Sequence, residues 1–111
     1  ILIVNGLLYM KNMTVPEFLA QSDAVRHEQL VIDVRELDEW EDGFIPTAHH
    51  MPLGELAHVV EKKFPNKQAD IVVYCASGGR SRRAVQAMEM LGYTHAKNLD
   101  GGYFVYQMYT R

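Results

Sequence analysis

Residues 71–81 read Ile-Val-Val-Tyr-Cys-Ala-Ser-Gly-Gly-Arg-Ser, and this stretch decides which fold the chain can adopt. The residues leading to Cys75 are β-branched or aromatic, which predicts a buried strand over 70–74. From Arg80 to Leu91 the apolar residues recur on one face, which predicts a helix. Cys75, the one cysteine of the chain, therefore lies where a strand becomes a helix.

Strands and helices alternate on either side of this junction. Thr14 and Glu17 form a capping box, which predicts a helix through about Gln21. The other predicted elements are strands over 30–34, 49–51 and 95–99, and helices over 36–42, 53–64 and from Gly101-Gly102 onward. The last helix carries Tyr103, Tyr106 and Tyr109, which we interpret as core packing. The alternation predicts an α/β fold with a mainly parallel sheet and helices on both faces. Ligands bind beyond the carboxyl ends of such strands.

Length and composition predict one domain over residues 1–111, with residues 1–12 as an N-terminal extension or leading strand. The chain is 48% hydrophobic with a net charge of −3, which indicates an ordinary core and no affinity for nucleic acid. The apolar stretch 1–10 is shorter than the roughly 20 residues that span a bilayer, and it lacks signal-peptide features. The chain does not begin with Met, so a processed form or a piece of a longer protein stays open. A single cysteine excludes an internal disulfide and favours the cytoplasm, with the periplasm left open.

The loop around Cys75 has three features that predict a thiol pKa below the ordinary value. The helix that follows points its positive end at the sulfur. Gly78 and Gly79 can adopt positive φ, which lets successive amides converge on an anion. Arg80, Arg82 and Arg83 add positive charge to the first turn of the helix. The alternative is a buried, inert cysteine beside solvated arginines.

The three arginines carry information of their own. Cations in the first turn oppose the helix macrodipole, at a cost of about 0.3–1 kcal/mol each. We therefore expect an anion to lie above this turn. The acidic run 36–42 is interpreted as a solvated helix face.

Four segments in the correct order resemble the rhodanese family. They are Ile32–Glu36 followed by Glu39-Trp40; Gly43–Ala48 followed by Met51-Pro52; Tyr74–Ser81; and Leu91–Tyr93 followed by Leu99–Gly102. The sequence departs from the family pattern at Phe44, where His is usual, at Thr47, where Gly is usual, and at Tyr106, where Trp is common. The resemblance implies a three-layer rhodanese-like fold and a thiosulfate sulfurtransferase without cofactor or metal.

The implied mechanism centres on Cys75. Its thiolate takes the outer sulfur of a small anionic donor such as thiosulfate and holds it as a persulfide. The sulfur then passes to a thiophilic acceptor, which is either a small molecule such as cyanide or a protein thiol. The implied loop for the anion consists of Ala76, Ser77, Gly78, Gly79, Arg80 and Ser81. No second cysteine exists to resolve the persulfide, so an outside acceptor must take the sulfur.

Several roles in the site stay open at this stage. The resemblance places Asp33 and Arg35 at the edge of the site; Asp33 either holds the loop or a neighbouring Arg, or is a solvent-facing carboxylate at a strand end. Arg80 either binds the donor or braces the loop. Ser77 and Ser81 either hydrogen-bond the sulfur or cap the helix, and we expect capping for Ser81.

Three other functions compete with sulfur transfer from thiosulfate. A phosphatase or arsenate reductase of the same fold has one more residue between Cys and Arg than the six-residue loop 75–80. A non-catalytic docking module would lack the nucleophile. A persulfide carrier in a protein sulfur relay needs the same loop and stays open. The five histidines are scattered and match no metal motif, and we expect a monomer or weak dimer that binds neither nucleic acid nor membrane.

Overall fold

A parallel sheet of five strands organises residues 11–111, the part of the chain that this computed structural model describes. The strands are β1 (Asn12–Thr14), β2 (Leu30–Asp33), β3 (His49–His50), β4 (Ile71–Tyr74) and β5 (Ala96–Asp100). They lie in the order β1-β5-β4-β2-β3, and every neighbouring pair is parallel. The predicted parallel sheet is confirmed. Most of the predicted leading segment 1–12 lies outside the described residues.

Six helices accompany the strands within the described residues. They are α1 (Val15–Ala20), α2 (Asp23–Glu28), α3 (Leu37–Glu41), α4 (Leu53–Lys63), α5 (Gly79–Met90) and α6 (Gly102–Thr110). The predicted capping box starts α1: Thr14 Oγ1 accepts from Glu17 N at 3.2 Å, and Glu17 Oε1 accepts from Thr14 N at 2.8 Å. Helix α2 was not predicted, because none of its residues is buried and its sequence has no apolar stripe. No helix in residues 11–111 is long and apolar enough to cross a membrane.

Helices cover both faces of the sheet, as predicted. On one face α4 and α5 bury Leu56, Val60, Ala84, Val85 and Met88 against β2 and β4. On the other face α1 and α6 pack over a second cluster that includes Phe18, with Tyr103 and Tyr106 at its margin. Tyr109 is 59% exposed, so the prediction that all three tyrosines of α6 pack in the core is wrong for this one.

The strand order brings the functional residues to one edge of the sheet. Asp33 at the end of β2 pairs in register with Tyr74 at the end of β4, and Cys75 follows directly. The first turn of helix α6 then contacts the loop that follows Cys75. Tyr103 N donates to Cys75 O at 2.9 Å, and Phe104 N donates to Ala76 O at 3.0 Å.

Candidate active site

Cys75 lies in a ring of hydrogen-bond donors at the start of α5. Its thiol is free, and the residue is only 1% exposed. Gly78 N donates to Sγ at 3.0 Å, and Ser81 N donates at 3.4 Å. Gly78 has φ of +126°, a conformation that favours glycine and that turns the amide inward. The amides converge on the sulfur as predicted, but the positive φ is found at Gly78 only, because Gly79 is already the first residue of α5.

Hydrogen bonds lower the pKa of the Cys75 thiol. Burial alone would raise the pKa of the Cys75 thiol. The hydroxyl and amide of Ser81 and the amides of Gly78 and Ser77 outweigh that effect, so the pKa lies below the ordinary value. Cys75 is therefore biased toward the thiolate, the nucleophilic form. The predicted direction is right, and the largest lowering effects are hydrogen bonds, while the charge of Arg80 interacts with the thiolate as well.

Ser81 does not cap the helix, contrary to our expectation. Gly78 is the N-cap residue, and no side chain completes that cap. Ser81 is instead fully buried, with Oγ 3.4 Å from Cys75 Sγ. One turn of helix separates position 81 from the N-cap, and this spacing directs the side chain back to the sulfur. Ser77 is exposed and contributes its backbone amide.

Asp33 and Arg35 form a buried ion pair beside the loop. Arg35 Nη2 donates to Asp33 Oδ2 at 2.7 Å, Arg35 Nε lies 3.0 Å from both carboxylate oxygens, and both residues are at most 4% exposed. The carboxylate raises the pKa of Arg35 against the opposing effect of burial. Arg35 also donates to Gly43 O at 2.7 Å and lies 4.4 Å from the Tyr103 ring centroid. The alternative of a solvent-facing Asp33 is therefore wrong, and the pair ties β2 to the segments around the loop.

The anion that faces Arg80 is a carboxylate of the protein itself. Arg80 Nη1 and Nη2 donate to the two oxygens of Glu39 at 2.7 and 2.9 Å. This pairing lowers the pKa of Glu39 to about 2 and raises that of Arg80. The interpretation of run 36–42 as a solvated face is thus wrong for Glu39. The geometry favours a bracing role for Arg80, while Arg82 and Arg83 are exposed.

Comparison with known proteins agrees with this geometry. The family profile of the rhodanese-like domain matches residues 14–109. The chain belongs to the rhodanese family. A sulfurtransferase of Allochromatium vinosum is 36% identical to it over 93 residues, covering 84% of this chain and 85% of the relative.

Two further members of the rhodanese family are similar to the chain. A thiosulfate sulfurtransferase of Escherichia coli is 31% identical over 70 residues, covering 63% of this chain and 67% of the relative. The solved structure of a human single-domain sulfurtransferase superimposes with a TM-score of 0.74 at 25% identity, covering 90% of this chain and 96% of that one. The chain therefore has the rhodanese fold and belongs to the rhodanese-like sulfurtransferase family.

The three departures from the rhodanese pattern have distinct structural consequences. Phe44 is 42% exposed and stacks on Trp40 at 3.7 Å between ring centroids, which makes an aromatic rim. Thr47 has φ of +74°, the left-handed conformation that glycine adopts without strain. Tyr106 stacks on Tyr103 at 6.0 Å. None of the three contacts Cys75 through a hydrogen bond, and Thr47 alone carries a backbone penalty.

A pocket of about 280 Å³ opens beside the loop of this rhodanese. Ala76 lies in its wall, together with two acidic residues, Glu39 and Asp42, and two aromatic ones, Tyr103 and Phe104. Across residues 11–111 no three His, Cys, Asp or Glu side chains gather to hold a metal ion.

Asn98 is the residue of the site that sequence reasoning missed. It is fully buried on β5, where its Oδ1 accepts from Ser81 Oγ at 2.5 Å. A signal was available, because an amide in a strand covered on both faces needs buried hydrogen-bond partners. The sequence does not say which residue supplies them, since Ser81 is 17 positions away.

Proposed function

We propose that this rhodanese moves sulfane sulfur from thiosulfate, or a similar donor, to a nucleophilic acceptor through a Cys75 persulfide. The observation that carries the proposal is the convergence of amide donors on Sγ, with Gly78 N at 3.0 Å and Ser81 N at 3.4 Å. Such donors stabilise the thiolate that attacks and the thiolate that leaves. The similarity to a thiosulfate sulfurtransferase of Escherichia coli supports thiosulfate as donor.

The two half-reactions balance without an added acid or oxidant. Cys75 thiolate attacks the outer sulfur of thiosulfate; the new S–S bond forms as the old one breaks, and sulfite leaves with the electron pair. The persulfide carries its negative charge on the outer sulfur. Cyanide or a thiol then attacks that sulfur, and the Sγ–S bond breaks to return the thiolate. Each product leaves before the next substrate reacts, which gives ping-pong kinetics.

The Arg80–Glu39 pair bears on the choice of donor. The two charges compensate each other, and Asp33 likewise compensates Arg35. Neither Arg80 nor Arg35 is therefore free to bind a donor, and the loop amides carry donor recognition, with the exposed Arg82 and Arg83 as further cations of the same turn. A protein or small-molecule persulfide, with a single charge at its outer sulfur, meets the same requirement as thiosulfate. This supports the persulfide carrier as the second candidate function, acting on a protein donor and a protein thiol acceptor in the cytoplasm.

Intact mass spectrometry of the wild type and Cys75→Ser tests the proposal. After incubation with thiosulfate, the wild type should gain the mass of one sulfur atom and lose it again with cyanide, while Cys75→Ser gains none. Steady-state formation of thiocyanate should likewise require Cys75. Retained turnover in Cys75→Ser would refute the proposal.

The competing functions give different results in the same preparation. A persulfide that forms only with a protein or small-molecule persulfide donor, and not with thiosulfate, selects the carrier. Release of phosphate from an aryl phosphate, dependent on Cys75, selects the phosphatase. A stable protein that forms no persulfide with any donor selects the docking module.

A further inference from the structure

A chain of buried polar side chains runs from Cys75 to the edge of the sheet. Ser81 Oγ lies 3.4 Å from Sγ and 2.5 Å from Asn98 Oδ1, and Asn98 Nδ2 lies 3.0 Å from Asn12 Oδ1. Ser81 and Asn98 are fully buried, whereas Asn12 is exposed. Asn12 and Asn98 are register partners on β1 and β5. The sulfur is thus connected to the surface by three side chains.

The Ser81 hydroxyl has one hydrogen and three groups that can accept it. Besides Sγ and Asn98 Oδ1, the carbonyl of Gly78 lies 3.2 Å from Ser81 Oγ. A protonated Cys75 can donate its S–H to Ser81 Oγ, which leaves the hydroxyl hydrogen for Asn98. A thiolate has no hydrogen to give. If the hydroxyl still pointed at Asn98, its lone pairs would face the negative sulfur, which is unfavourable in a buried site.

The amide of Asn98 can relieve this conflict. Its oxygen and nitrogen ends have nearly the same shape, and a half-turn of the amide exchanges them. Nδ2 then donates to Ser81 Oγ, and Oδ1 accepts from Asn12, whose exposed amide can turn in the same way. The hydroxyl hydrogen is released toward Sγ. Every hydrogen bond along the chain is kept, but its direction is reversed.

We propose that Asn98 is a positioning residue for Cys75: when the sulfur is a thiolate, the Asn98 amide donates to Ser81 and turns the Ser81 hydroxyl onto Sγ. Cys75 is a thiolate twice in the proposed function, because the thiolate is the nucleophile of the first half-reaction and the leaving group of the second. The inference rests on Cys75 as the reactive thiol but not on any sulfur donor. The lowered pKa of Cys75, to which the Ser81 hydroxyl contributes, is consistent with it.

Ser81→Ala and Asn98→Leu change none of the charged groups near this chain. Arg80 on α5 interacts with the charge of Cys75 and is itself held by Glu39. Asp33 at the end of β2 binds Arg35 just beyond the strand, and Lys97 of β5 binds Asp70, which precedes β4. The remaining titratable groups on the packed elements are Arg82, Arg83 and Glu89 of α5, Glu17 of α1, Asp38 and Glu41 of α3, His49 and His50 of β3, Tyr74 of β4, Asp100 of β5, the tyrosines of α6 and, on α4, Glu55, His58, Glu61, Lys62 and Lys63. A difference between variants therefore reports on the hydrogen-bond chain.

The test measures the rate of Cys75 alkylation by iodoacetamide against pH in four proteins: the wild type, Ser81→Ala, Asn98→Leu and the double variant. We expect each single substitution to raise the thiol pKa by about half a unit or more, roughly a threefold loss of thiolate below the pKa. Because Asn98 acts through Ser81, the double variant should match Ser81→Ala. A purely structural role would not produce this non-additive shift.

Two results would overturn the inference: an Asn98→Leu protein that is folded and titrates like the wild type, or shifts that add in the double variant. Urea unfolding verifies that each variant is folded. If Asn98→Leu does not fold, Asn98→Asp and Ser81→Ala/Asn98→Asp decide, because both carry the same added charge and differ only in the Ser81 hydroxyl. We expect these two variants to titrate alike, because the carboxylate already holds the Ser81 hydrogen away from Sγ, and a further alkaline shift in the double variant would refute the inference. Alkylation uses no sulfur donor, so loss of thiocyanate formation alone counts against the proposed function and not against this chain.

Discussion

Gly102→Ala is the substitution that should separate α6 from the active loop. Gly102 has φ of +59°, and a Cβ at this position would lie 2.4 Å from Cys75 O and 2.7 Å from Ala76 O. Both contacts are with backbone atoms, so no side chain can rotate away. The chain must shift, and the shift acts on the bonds from Tyr103 N to Cys75 O and from Phe104 N to Ala76 O.

The structure sets the size of the effect. A left-handed conformation costs a residue with a Cβ about 1–2 kcal/mol. Loss of two backbone hydrogen bonds, at about 1 kcal/mol each, adds about 2 kcal/mol. We therefore expect Gly102→Ala to lower the free energy of unfolding by about 3–4 kcal/mol, a large part of the roughly 5–15 kcal/mol available to a typical domain. Because the strained bonds end on Cys75 and Ala76, persulfide formation should slow as well.

Urea unfolding and the intact-mass assay together measure both effects. Gly54→Ala is the matched control, because a Cβ at Gly54 meets nothing within 4 Å, and it lies in α4, outside the active loop. The control should keep its stability to within about 1 kcal/mol and retain persulfide formation. If Gly102→Ala is as stable and as active as Gly54→Ala, the role of α6 in holding the active loop is wrong.

Three further predictions concern strain and charge. Thr47→Gly should raise the free energy of unfolding by about 0.5–1 kcal/mol, because it relieves the φ of +74°; a destabilised variant in urea unfolding would contradict this. Asp33→Ala should lower the free energy of unfolding by about 3–5 kcal/mol, since it leaves the buried Arg35 without its carboxylate partner. Glu39→Ala should lower it by about 1 kcal/mol or less, because Glu39 and Arg80 are each about a third exposed. Equal losses in urea unfolding would refute this difference between the buried and the exposed pair. The pKa of Glu39 in the folded protein is about 2, below its ordinary 4.5, so the stability contributed by its pair with Arg80 is complete above pH 4.5 and is lost as the pH falls toward 2. The difference in free energy of unfolding between the wild type and Glu39→Gln should therefore disappear over this range. A difference that stays constant with pH would argue against the pair.

Local pattern was a good guide to the elements and a poor guide to side-chain partners. The capping box of Thr14 and the junction at Cys75 depend on residues a few positions apart, and both are found where the sequence predicts them. Helix α2 was missed because it buries nothing. Ser81 was misread because its residue type suits both a cap and a buried hydrogen bond, and only the helix start at Gly79 distinguishes them.

The sequence by itself determined the α/β class, the family and the position of the thiol at the head of a helix, because periodicity, glycine placement and motif order are properties of neighbouring residues. Tertiary structure alone decided which charged side chains form ion pairs and which buried side chains contact the Cys75 sulfur. Arg80 binds Glu39, which lies 41 positions away in the sequence. Asn98 contacts Ser81 only because β5 lies beside β4. Those partners depend on strand order and on the angle at which each helix leaves the sheet, and neither quantity is encoded in any short stretch of residues.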